Sequence, residues 1–393
     1  MAERSPWRFW LWLGLTSFGG PGAQISTLRA EVVDKRGWLS AEQFGRALGL
    51  CFFLPGPEAQ QMVAWTAWKL GGWRSAVLAS LAFVVPGLLA CGVLGYGYVL
   101  YGKLPAVESA LVGVRAVVAG ILFVSAWRIG AGVGKGLWHG ATSLGAFVGL
   151  VAGLPFGVYA LVVGGLGWVL SEKQSEAEEA AQAPPIFRRL LLGLLPFMVL
   201  LAMVIAWSGG WAGVGRLAGV SVFAVLTSFG GAYAALSLWR TQAEAAGWMP
   251  AGRFGDALVV GEATPGPLML AGSFVGFAAG HQGALGGGGG WGMALVGLVV
   301  PAFFTFGLST ALILSTAPLG DVGVASRRFH QAMGFITAAA AGALAWMGVM
   351  LAWTAGCHVL PVALTLGAAL LAWRGFGVFW LLALGAVIGW MAG

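Results

Sequence analysis

Long apolar runs set the strongest limit on what this chain can fold into. They cover residues 75–94, 106–127, 190–207, 293–314 and 332–353. A helix that crosses a bilayer needs roughly 20 such residues, and backbone groups inside lipid must bond within the protein, as in helices or a closed barrel. Barrel strands alternate apolar and polar residues over about 10 positions, whereas these runs are continuous. The sequence therefore predicts an all-α polytopic membrane protein.

The few charged side chains narrow the range of partners and cofactors. Only 9% of the residues are charged, against roughly 25% in a soluble domain. The net charge of +7 is spread over loops without a basic stripe, so we expect a lipid bilayer and no nucleic acid as partner. Neither the three cysteines nor the four histidines have the spacing of a metal site. No metal or other cofactor is expected.

Three sequence motifs occur twice in the same order. The hexapeptide at 15–20 recurs at 226–231, Gly-Trp at 37–38 recurs at 247–248, and Pro-Gly-Pro at 55–57 recurs at 265–267. One shift of about 210 residues aligns all three, which indicates an internal repeat. We divide the chain into a first transmembrane repeat (1–170), a hydrophilic linker (171–186) and a second repeat (187–393) with an extra leading helix.

Each Pro-Gly-Pro separates two apolar segments that are too short to span a bilayer. The segments 44–54 and 254–264 precede the breaks, and those that follow end near Gly71 and Gly280. Because proline breaks a helix and suits the first turn of the next, we predict a helix-break-helix hairpin in each repeat. Longer helices are expected at 74–100, 106–130, 137–153, 155–171, 291–316, 328–352, 356–372 and 375–392.

The distribution of basic residues predicts that the two repeats are inverted. Residues 21–74 carry Arg29, Lys35, Arg36, Arg46, Lys69 and Arg74, whereas the matching residues 232–291 carry only Arg240 and Arg253. The positive-inside rule places these segments on opposite sides of the membrane, as in many transporters. The expected helices do not by themselves give the odd number of crossings that an inversion requires.

The paired breaks predict an anion site near the membrane midplane. A helix that begins after a break leaves backbone N–H groups unpaired and carries roughly half a positive charge there. Two such ends in one region suit an anion, although a break alone can also be a simple turn. The candidate substrate-binding residues are Ser17, Gly19, Gly20, Gln24, Gly56, Glu58, Gln60, Gln61, Arg115, Ser228, Gly230, Gly231, Tyr233, Thr264 and Gly266.

Ionisable residues in apolar runs are candidates for function by default. Arg115 either binds the anion or pairs with Glu108. Glu58 directly follows the first break, where it caps the helix or competes with an anion for the helix end. Glu262 lies three residues before the second break, and we treat both glutamates as proton-coupling candidates. Asp256 and Asp321 are expected to be interfacial and solvated.

These motifs carry a family resemblance over nearly the whole chain. They are Phe18-Gly19-Gly20-Pro21 with Gln24, Gly37-Trp38-Leu39, Leu54 to Gln61, Phe229-Gly230-Gly231 with Tyr233, Thr264 to Pro267, and Phe274 to Phe277. The chain resembles the long, two-domain form of the chromate ion transporter family. The resemblance implies a homodimeric carrier in a bacterial or archaeal inner (plasma) membrane that moves chromate, in exchange with sulfate or coupled to protons. The chain departs from the family pattern at Ala232, where Gly is common, and at Ser273, where Gln is common.

Three other functions remain open from the residues. An anion channel and a transporter of another oxyanion would use the same half-helices. An intramembrane lipid-phosphate enzyme would need a nucleophile beside a base, and the four histidines have no partner at a suitable spacing. No catalytic residues are therefore expected.

Overall fold

The computed structural model describes residues 7–132, 136–154, 156–170, 186–207, 212–228, 232–250, 252–318 and 327–393. Within these ranges the secondary structure is helical, as expected, and includes no strand. Residues 171–185 of the linker, together with Gly230, Gly231 and Asp321, lie outside the described residues.

The first repeat contains seven described α-helices. They are α1 (Trp7–Thr16), α2 (Gly20–Arg29), α3 (Ala41–Phe53), α4 (Glu58–Tyr101), α5 (Pro105–Gly132), α6 (Leu137–Val151) and α7 (Phe156–Val169), with a π-helical turn at Ala30–Lys35 after α2. Ser40 starts α3 with a capping box, in which the Ser40 and Gln43 side chains each bond the other's backbone N–H. α4 is interrupted by non-helical backbone at Gly71 and Gly72, where the sequence predicts that the short helix after the break ends.

The second repeat follows the same order after one additional helix. That helix is α8 (Ile186–Trp207), followed by α9 (Ala212–Thr227), α10 (Ala232–Ala245), α11 (Phe254–Ala263), a 3-10 turn (Leu268–Leu270), α12 (Ala271–His281), α13 (Trp291–Ala302), a π-helical turn (Phe303–Gly307), α14 (Leu308–Thr316), α15 (Arg327–Ala355), α16 (Val359–Trp373) and α17 (Val378–Ala392). Four described segments are long and apolar enough to cross a membrane: Glu58–Tyr101, Pro105–Gly132, Trp291–Thr316 and Gln331–Ala355. The chain is a multi-pass membrane protein.

Equivalent helices of the two repeats run antiparallel. Along α5 and α15, Gly130 lies beside Ala341, and Phe123 beside Gly348. Position numbers therefore fall along one helix while they rise along the other. Because a two-fold axis along the membrane normal would make equivalent spans parallel, this packing indicates an inverted repeat.

Each repeat is completed by helices from the other. α5 packs against α16 and α17, and α15 packs against α6 and α7. Glycines bring the backbones together, since a Cβ at Gly113 would overlap the Gly385 carbonyl and a Cβ at Gly342 would overlap the Ser143 carbonyl. Thr365 on α16 donates its hydroxyl to the Ala116 carbonyl on α5, at 3.0 Å. The repeats are therefore interlocked rather than simply side by side.

Candidate anion-binding site

The first helix break separates α3 from α4 as the sequence predicts. α3 ends at Phe53 and α4 begins at Glu58. Gly56 has a φ of 128°, which glycine adopts without a steric penalty. The Gln61 amide folds back over the break and donates to the Pro55 carbonyl at 2.9 Å. The positive N-terminal end of the helix that runs from Glu58 to the interruption at Gly71 therefore lies at the break.

The second break is held by side chains and backbone of the first repeat. The Gly266 N–H donates to the Ser17 carbonyl at 2.8 Å, and Gln24 Nε2 donates to the Gly266 carbonyl at 2.6 Å. The adjacent Pro265 carbonyl lies so close to α4 that a Cβ at Gly87 would overlap it. The structure thus brings three of the predicted site residues, Ser17, Gln24 and Gly266, into contact across the repeats.

A cluster of polar side chains surrounds the start of α4. Gln60 Nε2 donates to Ser80 Oγ at 3.0 Å and to Thr310 Oγ1 at 2.7 Å. A methyl group at Gly56 would lie 2.8 Å from both Gln61 Nε2 and Ser309 Oγ. Ser309 and Thr310 stand on α14, directly after the π-helical turn, so the second repeat completes the first break. π-Helical turns of this kind are frequent at functional sites.

Several buried atoms of this cluster have no hydrogen-bond partner among the residues that the structure describes. They are Ser309 Oγ, Gln60 Oε1, Gln61 Oε1 and Glu58 Oε2. Buried polar atoms are nearly always paired, so unpaired ones indicate a place where water or a ligand binds. Three residues of the cluster, Ser80, Ser309 and Thr310, were not predicted from the sequence, because a hydroxyl in an apolar helix gives no sign of which other helix it faces.

The remaining predicted residues occupy several positions. Glu262 and Thr264 are buried beside the second break, and Thr264 Oγ1 lies 3.8 Å from Cys91 Sγ. Ser228, just after α9, is buried and donates to the Val225 carbonyl in the last turn of that helix. Gly19 packs against Val378 of α17, and Gly20 starts α2. Tyr233 belongs to α10.

Arg115 is engaged in a buried ion pair with Asp256. Arg115 Nε donates to Asp256 Oδ1 at 2.6 Å, and the Tyr98 hydroxyl donates to Oδ2 at 2.9 Å. Asp256 is 0% exposed, so the expectation that it is interfacial and solvated is wrong. The alternative partner of Arg115, Glu108, bonds Arg253 instead. The physical reason is that the first turn of α11 packs inside the protein against α5 of the other repeat.

Comparison with known proteins assigns the family. The chromate transporter family matches residues 6–170 and 215–390, one region for each repeat. A chromate transport protein of Pseudomonas aeruginosa is 30% identical over 85% of this chain and 77% of its own length. A probable chromate transport protein of Synechococcus elongatus is 27% identical over 90% of this chain and 85% of its own length. An uncharacterized transporter of Bacillus subtilis is 35% identical over 30% of this chain and 66% of its own length.

No solved structure matches the chain. The family match covers most of both repeats. It identifies a transporter rather than an enzyme. The chain belongs to the chromate transporter family.

Proposed function

We propose that this chain is a secondary transporter of chromate, which it binds near the membrane midplane at the paired half-helix ends. The single observation that carries the proposal is the first break, where the N-terminus of α4 meets the unpartnered hydroxyl of Ser309. Sulfate as the exchanged anion, a homodimeric state and an inner-membrane location belong to the same proposal. The bacterial origin of the matching relatives supports that location.

The site offers two kinds of stabilisation to an oxyanion. Two helix ends supply about one unit of positive charge, and hydroxyl and amide donors supply directed hydrogen bonds. The Arg115 side chain is already bonded to Asp256, at the far end of α11 from the break. Arg115 would therefore act on the anion only after leaving Asp256. Glu58 and Glu262 are the groups whose protonation would offset the negative charge of the anion.

Uptake of labelled chromate into proteoliposomes tests this function. Saturable flux that depends on trapped sulfate or on a pH gradient would support a coupled transporter. Flux that simply follows the electrochemical gradient of the anion would favour a channel. Flux of another oxyanion without chromate flux would keep the mechanism and change the substrate.

Ser309→Ala should weaken chromate binding without unfolding the protein. A hydrogen bond to a charged group contributes about 1.5–3 kcal/mol, so the half-saturating chromate concentration should rise about tenfold or more. Ser315→Ala is the matched control, because Ser315 stands on the same helix and donates to its own backbone at Ala311. If both variants have the same half-saturating chromate concentration, Ser309 does not bind the anion.

Glu262→Gln should uncouple transport from protons. Glutamine keeps the size of the buried Glu262 side chain but cannot exchange a proton. We expect uptake driven by a pH gradient to fall to background, while exchange of chromate against chromate continues. The control is Glu42→Gln, whose side chain is 79% exposed. A Glu262→Gln protein that still responds to the pH gradient would leave Glu58 as the remaining candidate.

A further inference from the structure

Two equivalent helices of the inverted repeats have different surroundings. α11 is buried at every residue from Phe254 to Glu262. α3, its counterpart before the first break, has one exposed face along its length. The residues of that face are Gly45, Arg46, Gly49 and Phe52. A Cβ added at Gly45 or Gly49 would meet nothing within 4 Å. Within this chain, one face of α3 is therefore uncovered, whereas α11 is covered by other parts of the protein.

The residues that fill the α11 side form one charged cluster. Asp256 in the first turn of α11 accepts hydrogen bonds from Arg115 on α5 and from Tyr98 on α4. The Tyr98 ring also packs edge-on against Phe274 of α12, with the ring centroids 5.1 Å apart. Tyr98 thus contacts both arms of the second hairpin. We call Tyr98, Arg115 and Asp256 the gate cluster.

Among the side chains that the structure describes, the first hairpin has no such cluster at the equivalent position. Arg46 occupies the place of Asp256 in the aligned repeats. The side chain of Arg46 is 40% exposed, and it lies 3.6 Å from Glu42 on its own helix. Arg115, in turn, aligns with Ile336 or Thr337. In the described part of the chain, the charged cluster is therefore found on one side of the pseudo-two-fold axis and not on the other.

In a transporter with inverted repeats, the exposed arrangement of α3 and the buried arrangement of α11 are expected to exchange during alternating access. When such a transporter switches sides, one repeat or bundle rocks against the other around a fixed site, and each repeat takes up the arrangement of its partner. The surroundings of α3 then indicate those of α11 in the opposite state. In that state position 256 would be exposed, as position 46 is here. The hydrogen bonds of Asp256 to Arg115 and Tyr98 would have to break.

We propose that the gate cluster closes the α11 side of the transport path and must separate before the anion can pass there. The conformation described here is then open along α3 and closed along α11. This inference rests on the proposed transport function for its meaning in the cycle. Its structural claim, which concerns access from water, can be tested in the absence of any anion.

Cysteine accessibility tests the gate directly. Single cysteines are placed at the equivalent positions Gly49→Cys and Val259→Cys, in a background with Cys51→Ala, Cys91→Ala and Cys357→Ser. The purified full chain in liposomes is treated with a water-soluble maleimide, and the labelling rates are compared. We expect fast labelling at position 49 and slow labelling at position 259.

Substitutions that weaken the gate cluster should shift labelling from position 49 towards position 259. Asp256→Asn should raise the labelling rate at position 259 about tenfold, because hydrogen bonds to an ionised carboxylate are lost, and should lower the rate at position 49. Tyr98→Phe removes one hydrogen bond but keeps the ring against Phe274, so it should raise the labelling rate at position 259 by a smaller factor. This second variant keeps the test possible if Asp256→Asn does not fold. Glu244→Gln is the matched control, since the Glu244 carboxylate pairs with Arg240 of its own helix rather than with the gate cluster.

The outcomes separate the gate from the transport function. An unchanged rate at position 259 in both Asp256→Asn and Tyr98→Phe would overturn the gate. No labelling at position 49 would mean that the exposed face of α3 meets lipid, which would overturn the open side. If the protein shows the expected labelling but carries no chromate in the uptake assay, the result supports the gate and contradicts chromate as the substrate.

Discussion

Gly87→Ala should abolish chromate uptake, whereas Gly97→Ala on the same helix should leave it unchanged. A Cβ at Gly87 would overlap the Pro265 carbonyl oxygen and lie 2.6 Å from Leu270 Cδ1. The carbonyl belongs to the second break and cannot move without displacing Gly266, which Ser17 and Gln24 hold. Overpacking of this kind typically costs about 1–3 kcal/mol. We therefore expect a lower melting temperature as well as lost uptake.

The Gly97 variant controls for the substitution itself. A Cβ at Gly97 would meet nothing within 4 Å, and alanine favours a helix over glycine by up to about 1 kcal/mol. Gly97→Ala should consequently melt at the same temperature or slightly higher. Both variants are measured by uptake at equal protein amounts and by thermal unfolding followed through tryptophan fluorescence. Normal uptake by Gly87→Ala would show that the second break does not need its close contact with α4.

Arg115→Met should prevent most of the protein from folding, and a second substitution at Asp256 should restore it. The single variant removes the close cation of the buried Asp256 carboxylate and leaves only Arg253, whose Nη1 lies 3.8 Å from Oδ2. Breaking a buried pair typically costs about 3–5 kcal/mol. Adding Asp256→Asn removes the charge and keeps an oxygen that can accept the Tyr98 hydrogen bond. The yield of monodisperse protein in detergent and its melting temperature measure both effects.

Arg46→Met provides the comparison at the pseudo-symmetric position. Its pair with Glu42 is exposed, and such pairs contribute at most about 1 kcal/mol, so the yield should barely change. A double variant at 115 and 256 that folds no better than Arg115→Met would contradict mutual neutralisation as the role of the pair. In that case the protein would need Arg115 for a contact with a residue other than Asp256.

Features that depend on neighbouring residues in the chain could be predicted from the sequence. The two Pro-Gly-Pro motifs predicted the breaks at Gly56 and Gly266, and the paired glycines predicted the end of a short helix near Gly71. Apolar length predicted the long spans, and the uneven distribution of basic residues predicted inversion. Each of these depends on backbone sterics, helix length or loop charge, which act within one segment.

Contacts between the repeats could not be predicted in the same way. Ser309 faces the first break from a helix more than half the chain away, and Gln24 reaches the second break from the first repeat. Asp256 was expected to be interfacial and solvated, yet Arg115 and Tyr98 enclose it. Helical periodicity says which residues share a face, but it does not say which helix covers that face.

The exchange of helices between the repeats has a consequence for biosynthesis. α5 leaves the ribosome early, but its packing partners α16 and α17 are made last. Loop closure over so long a stretch is slow relative to local helix formation. Arg115 must therefore enter the membrane region before Asp256 has been synthesised, so an unfinished chain carries an unneutralised charge. Full assembly of the first repeat has to wait for the final two helices of the second.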